Sequence, residues 1–161
     1  MIRKAVLDDA PLLALLNRDI QQIHANALPA TYKPPSEPDT IAQDFRERFL
    51  NNPDALTLII EVGGEGRGYL AAVVSERPEN PYAYGQKRLH VDQIGVRPAD
   101  RDKGYGKALM NAAVDYAREN GCDVVTLDVG AFNTGAVAFY RRLGFEATMI
   151  RMSLGLDELT A

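Results

Sequence analysis

Tryptophan is absent from this 161-residue chain, cysteine occurs once and histidine twice. A lone cysteine, Cys122, cannot close an internal disulfide, which makes a reducing cytoplasm the default expectation. His24, His90 and Cys122 stand apart with no metal-ligand spacing, so no metal is expected. No apolar run approaches the length of a membrane-spanning helix, and the N-terminus has no signal-peptide apolar core, so no membrane is expected as a partner. Positive charge is in deficit: 18 Lys and Arg against 22 Asp and Glu leave a net charge of −4, which argues against a dedicated nucleic-acid binder. Repeats and low-complexity tracts are missing as well. The remainder, 46% hydrophobic and 25% charged, is ordinary for one soluble globular domain over 1–161 with a single good core.

The most informative stretch is Val91 to Lys107, VDQIGVRPADRDKGYGK. Val91, Ile94 and Val96 read as a buried strand that Pro98 stops. From Lys107 a helical pattern begins, with Leu109, Ala112, Ala113, Tyr116 and Ala117 recurring at helical spacing to about Asn120. Between strand and helix, Gly104 and Gly106 permit backbone shapes that residues with a Cβ avoid, and they let a ligand approach the main chain. Free N–H groups of the first helical turn, with the helix dipole behind them, form an anion site, for which phosphate is the usual occupant. Arg101, Lys103 and Lys107 add positive charge. The stretch therefore reads as a pyrophosphate cradle.

Two common phosphate motifs fail here. A P-loop needs a glycine five residues before Gly106 and a Ser or Thr after Lys107; Arg101 and Ala108 occupy those places. A dinucleotide fingerprint needs a small residue three after Gly106, where Leu109 stands.

Taken in order, the chain predicts a strand at Ile2 to Val6, then a helix capped by Asp8 or Asp9 with Pro11 in its first turn. Leu12, Leu15, Leu16, Ile20 and Ile23 fall on one face of that helix, which ends near His24 to Ala27. Four prolines make Leu28 to Glu37 a loop. Ser36 or Asp39 caps a second helix carrying Ile41, Phe45 and Phe49, ended by Asn51-Asn52-Pro53. Strands follow at Ala55 to Val62 and Tyr69 to Val74 around a hairpin turn at Gly63 to Gly66. Pro78 to Gln86 is a loop and Arg88 to Val96 the next strand. After the cradle helix, Gly121 is a stop, Val124 to Val129 a strand, Asn133 to Leu143 a helix, Gly144 a stop and Phe145 to Leu154 a last strand. The order β-α-α-β-β-β-α-β-α-β implies an α/β fold with a mixed sheet and helices on both faces.

A third phosphate pattern, Arg/Gln-x-x-Gly-x-Gly/Ala, is met by Arg101, Gly104 and Gly106. With it the sequence resembles the GNAT superfamily, N-acetyltransferases that use acetyl-CoA. A second family-like stretch is Asn133-x-x-Ala136-x-x-Phe139-Tyr140-x-x-Leu143-Gly144-Phe145. On its own it reads as a core-facing helical stripe with an N-cap and a C-cap. Together, in the right order and one strand apart, the two stretches carry the resemblance from about Asp92 to Phe145. Before Arg88 it rests on element order.

The resemblance implies that acetyl-CoA binds as co-substrate. The backbone of Arg101, Asp102, Lys103, Gly104, Tyr105, Gly106 and Lys107 would hold its pyrophosphate. The backbone of Ile94, Gly95 and Val96 would bond the pantetheine arm as an added strand would, where neighbouring strands splay, and Asn133 would contact the same arm. Tyr140 takes the role of general acid for the leaving thiolate. Many members place a basic glutamate where this chain has His90, whose reference pKa suits the role; Asp92, on the same strand parity, could orient it or serve as base through water, and a mechanism with no dedicated base stays open.

The expected reaction is acetyl transfer to a primary amine in a ternary complex. A non-catalytic acyl-CoA sensor and a transferase for longer acyl-CoAs are the alternatives. The loops Ala25 to Pro38 and Pro78 to Lys87, with Tyr32, Tyr82 and Tyr84, would flank the acceptor. His24 reads better as a helix-end histidine. A nucleophilic role for Cys122 is improbable. The C-terminal arm is short for the family, which leaves the sheet edge bare or completed by a partner chain and is compatible with a homodimer.

Overall fold

The computed structural model describes residues 1–158, so the last three positions of the expected domain lie outside the described residues. The chain falls into two compact units, Met1–Asp128 and Val129–Ala161.

The first unit is built on five strands in the order β1-β2-β3-β4-β5. They are β1 (Ile2–Lys4), β2 (Ala55–Val62), β3 (Glu65–Arg77), β4 (Gln86–Val96) and β5 (Val124–Leu127). Leu56 to Ile60 of β2 are all buried, as expected of a continuous apolar run covered on both faces. Pairing is antiparallel from β1 to β4, and β5 joins β4 in parallel. Gly63 and Gly64, with φ of 62° and 79°, form the tight turn from β2 to β3. The Arg3 guanidinium bonds both Asp9 and Glu61, tying the first strand to the turn after it and to β2.

On one face lie α1 (Ala10–Ala27) and α2 (Pro38–Phe45), the latter running into a π-helical turn over Arg46–Leu50. Leu13, Leu16, Phe45, Phe49, Ile59, Tyr69 and Ala71 form the core there. The face of α1 turned inward differs from the expected one: Leu13 and Ala14 are buried, while Leu15 is 55% and Ile23 37% exposed. Apolar residues occur nearly all round the first two turns, and the small Ala10 and Ala14 win because Ala42 of α2 packs against them. By strand alternation, Leu58, Leu70, Ala72, Leu89 and Val91 face the other way, the side of α3 (Tyr105–Glu119). That helix buries Leu109, Met110, Ala113 and Ala117.

Several boundaries shift. The cap of α2 is Glu37, with Pro38 in the first turn, in place of Ser36 or Asp39. Asp9 does occupy the cap of α1, but its carboxylate accepts from Arg3 and the Val6 N–H and makes no side-chain cap bond. Strand β3 runs well past the expected Tyr69 to Val74 in both directions.

In the second unit, α4 (Thr134–Arg142) starts from Asn133. Gly121 and Gly144 have φ of 68° and 94° and stop their helices as read from sequence. The final strand over Phe145 to Leu154 does not form. Met149, Ile150, Met152 and Leu154 are 65% exposed or more, and a strand without a neighbour has no partner for its N–H and C=O groups.

One core detail carries a prediction. The Thr57 hydroxyl is buried with no hydrogen-bond partner among the described residues. Burying an unpaired hydroxyl is unfavourable, and valine keeps the shape without the polar atom. Thr57→Val should raise stability by about 1 kcal/mol, read as a higher midpoint in urea.

Candidate functional site

Strand β4 ends at Val96, and Pro98–Asp100 makes one 3-10 turn before the cradle. Asp102 and Gly104 then take φ of 63° and 82°. These two left-handed residues reverse the chain so that Tyr105 opens α3. The Ala108 N–H bonds the Gly104 carbonyl, which leaves the N–H groups of Tyr105, Gly106 and Lys107 with no carbonyl to reach inside the helix. They point along the positive end of a 15-residue helix. Arg101, Lys103, Gly104 and Lys107 are exposed around them.

What fixes the turn is a residue the sequence reading passed over. The Asp100 side chain is buried, accepting from Lys103 Nζ at 2.8 Å and from Arg67 Nη1 at 3.5 Å. Lys103, itself half exposed, therefore braces the loop through Asp100, and that carboxylate offsets part of the positive charge it adds. Its hydrogen bond holds the Asp100 carboxyl below the usual carboxylate range, against the opposing effect of burial. A carboxyl depressed in the folded state stabilises above its unfolded value of about 3.9 and loses that contribution as pH falls through the folded value. Asp100→Asn should thus melt below the parent protein at pH 7, with the gap closing below about pH 4, in thermal melts across pH.

The neighbouring strand opens beside this turn. Ala71 pairs with Gln93 and Ala72 with Val91, so Asp92 is an extra residue, a β-bulge in β4. Pairing of β4 with β5 runs from Arg88–Val124 to Val91–Leu127 and ends at that bulge. From Asp92 to Val96, β4 keeps only β3 beside it as a strand partner among the described residues. In an antiparallel ladder alternate residues turn their backbone groups away from the partner; the Arg97 N–H bonds the Arg67 carbonyl, so Gly95 faces Tyr69 on β3 while Ile94 and Val96 direct donors and acceptors to the open side. The two strands cease to pair just before the residues where a splay is expected.

On the α1 face of the same stretch sit His90, Asp92 and Gln93. The Tyr69 hydroxyl donates to Gln93 Oε1 at 2.8 Å, and Asn17 Nδ2 donates to both. Burial pushes the Tyr69 phenol far above its ordinary value. Asp92 lies 3.9 Å from Arg48 of the π turn. His90 Nδ1 is 2.9 Å from Thr126 Oγ1, and its Nε2 is 3.8 Å from an Asp128 carboxylate oxygen. The partners of His90 are thus on or beside β5, and not Asp92. Thr126 and Asp128 carried no signal in the sequence, because the register of two parallel strands is not a local property.

In the second unit, Asn133 Oδ1 accepts from the Ala136 N–H at 3.2 Å, so it caps α4 and keeps its amide donors for another partner. The Tyr140 ring packs against Phe139 and Phe145, and burial pushes its phenol up to about 12. Elsewhere His24 closes the end of α1, with its ring edge-on to Tyr32 at 5.2 Å. Tyr82 and Tyr84 are 97% and 85% exposed. Burial raises the Cys122 thiol, away from the thiolate a nucleophile needs.

Residues 18–145 match the model of the acetyltransferase (GNAT) family. The chain belongs to this family. Among relatives of the GNAT chain, an uncharacterized N-acetyltransferase of Methanocaldococcus jannaschii is 39% identical over 90 residues, 55% of this chain and 38% of its own length. Streptothricin acetyltransferase of Streptomyces lavendulae is 38% identical over 86 residues, 53% of this chain and 42% of its own. The GNAT chain therefore spans less than half the length of these curated relatives. An aminoglycoside N-acetyltransferase solved in complex with CoA superposes with a TM-score of 0.76 at 20% identity, covering 96% of this chain and 93% of that one. Among the described residues no helix is long and apolar enough to cross a membrane.

Proposed function

We propose that this GNAT chain, acting as one domain over 1–161, transfers the acetyl group of acetyl-CoA to a primary amine. The observation that carries the reading is the junction of two features: β4 leaves β5 at Val91, and five residues on it meets a turn whose backbone donors face an anion site. The residues present fit the co-substrate. Across Arg101 to Lys107, the N–H groups of Tyr105, Gly106 and Lys107 suit a pyrophosphate, with the Arg101 N–H bonded to the Pro98 carbonyl. The open side of Ile94 and Val96 suits an amide-bearing pantetheine arm. Asn133, in the second unit, keeps amide donors that suit the same co-substrate. Attack on the thioester forms the N–C bond and breaks the C–S bond, while Tyr140 gives its proton to the departing sulfur. His90 takes the proton from nitrogen, with Asp92 acting through water as the alternative.

The acceptor is an amine of a small molecule or peptide, gathered by the loops around His24, Tyr32, Tyr82 and Tyr84. The similarity to proteins named for streptothricin and aminoglycosides supports a cationic small molecule. The test is release of CoA thiol from acetyl-CoA against a panel of such amines, polyamines and peptides, beside calorimetric binding of acetyl-CoA. Amine-dependent release supports transfer. Saturable binding with no release favours a sensor, and tighter binding of longer acyl-CoAs would change the donor.

Among the described residues β5 is the last strand of the sheet, and a second copy pairing there would give a homodimer.

A further inference from the structure

His90 and Thr126 are register partners on β4 and β5, so their side chains project from the same face of the sheet. They are also the next-to-last pair before the two strands part, since only Val91–Leu127 follows. At that place the histidine Nδ1 and the threonine Oγ1 stand 2.9 Å apart, within hydrogen-bond reach. Threonine is stiff about its first side-chain torsion, and a strand fixes its backbone, so its oxygen is a rigid reference point for the ring. The other nitrogen, Nε2, lies 3.8 Å from an Asp128 carboxylate oxygen, beyond hydrogen-bond reach, and that side chain is 92% exposed. Other charged groups on this face include Arg88, two residues earlier on β4 and bonded to Ser75, Asp92 on the same strand, and Arg48, 3.9 Å from Asp92.

We propose that Thr126 is a positioning residue for acetyl transfer. It accepts a hydrogen bond from the Nδ1–H of His90 and so holds the imidazole in the tautomer whose free lone pair is on Nε2. The two ring nitrogens of a neutral histidine are not equivalent, and which one is free is set by the bond the other makes. In the opposite tautomer Nε2 carries the proton and cannot take another. With Thr126 in place, the nitrogen that forms the new N–C bond passes one proton to Nε2, and solvent at the exposed Asp128 side removes it afterwards. The sulfur separately receives its proton from Tyr140. The inference rests on the acetyl-transfer reading and on His90 as the proton acceptor.

The experiment uses the full chain and the variants Thr126→Val, Thr126→Ser, His90→Gln and the Thr126→Val/His90→Gln double, each with kcat, both KM values and a melting curve. Nitrogen-15 NMR of the His90 ring needs no substrate and reads the tautomer directly. The expected spectrum has the proton on Nδ1 in the parent and in Thr126→Ser, and on both nitrogens in exchange in Thr126→Val. The expected kinetics are a kcat lowered about tenfold in Thr126→Val and restored in Thr126→Ser, with KM for acetyl-CoA unchanged and the double variant no slower than His90→Gln alone. An unchanged tautomer in Thr126→Val overturns the inference whether or not the protein turns over. So does a double variant whose losses multiply, or a His90→Gln enzyme as fast as the parent, while acetyl transfer itself stands. If no amine gives release in the parent protein, the functional reading fails on that assay, and the ring spectrum alone decides the Thr126 contact.

Discussion

Tyr140→Phe should lower kcat by about ten- to a thousandfold while acetyl-CoA affinity stays within about twofold, the usual size of a lost acid catalyst. That range corresponds to about 1.4–4 kcal/mol of transition-state stabilisation. The substitution is well suited to the question because the ring, which packs on Phe139 and Phe145, is kept and only the hydroxyl is removed. CoA leaves poorly as a free thiolate, so a proton at the sulfur matters more in the transition state than in the ground state. Burial keeps the phenol protonated, with its titration pushed up to about 12. The pH profile of kcat should accordingly show no basic limb from this group across the neutral range. Steady-state kinetics and calorimetry on the pair decide it: parental turnover in the variant would remove Tyr140 from the mechanism.

The largest loss of stability is expected from Gly68→Ala. A Cβ at Gly68 would lie 2.7 Å from the Gly95 carbonyl oxygen, 3.1 Å from Val96 Cγ2 and 3.3 Å from Ile60 Cγ2. The nearest of these is backbone, which cannot turn aside as a side chain can. Strand β4 must move away from β3 to make room, and overpacking of this kind costs about 1–3 kcal/mol. For a domain of this size that is a fall in melting temperature of roughly 3–10 °C. The displaced residues are the ones assigned to the pantetheine arm, so acetyl-CoA affinity should fall too. Gly135→Ala, inside α4 and meeting nothing within 4 Å, is the clash-free control and should lower neither, its melting rising if anything through helix propensity. Parental melting and binding in Gly68→Ala would mean that the end of β4 yields freely.

Features that depend on neighbours in sequence were legible before any coordinates. Asn133 as a cap, Gly121 and Gly144 as helix stops, and the glycine turn before α3 are set within a few residues. The mixed sheet followed from element order. Features set by distant partners were not legible. The inward face of α1 was decided by Ala42 of another helix. Asp100 gave no hint of burial, because Arg67 reaches it from a different strand. The stretch Phe145 to Leu154 has strand-like composition, yet composition does not supply the neighbouring strand that would pair it. Thr126 became relevant only through the register that sets it opposite His90.

The bulge at Asp92 has a consequence for how this region can vary. Strand β4 contains one residue more than its ladder with β3 uses, and the alternation of faces resumes correctly on either side of it. His90 and Gln93 consequently share a face although they are an odd number of positions apart, which no regular strand permits. Buried contacts made by Val91 before the bulge and by Gly95 after it are indifferent to that extra position. Chain length at this point is therefore decoupled from the hydrophobic interior. Losing that extra position would leave both halves of the ladder intact and would move the point at which β4 stops pairing with β5.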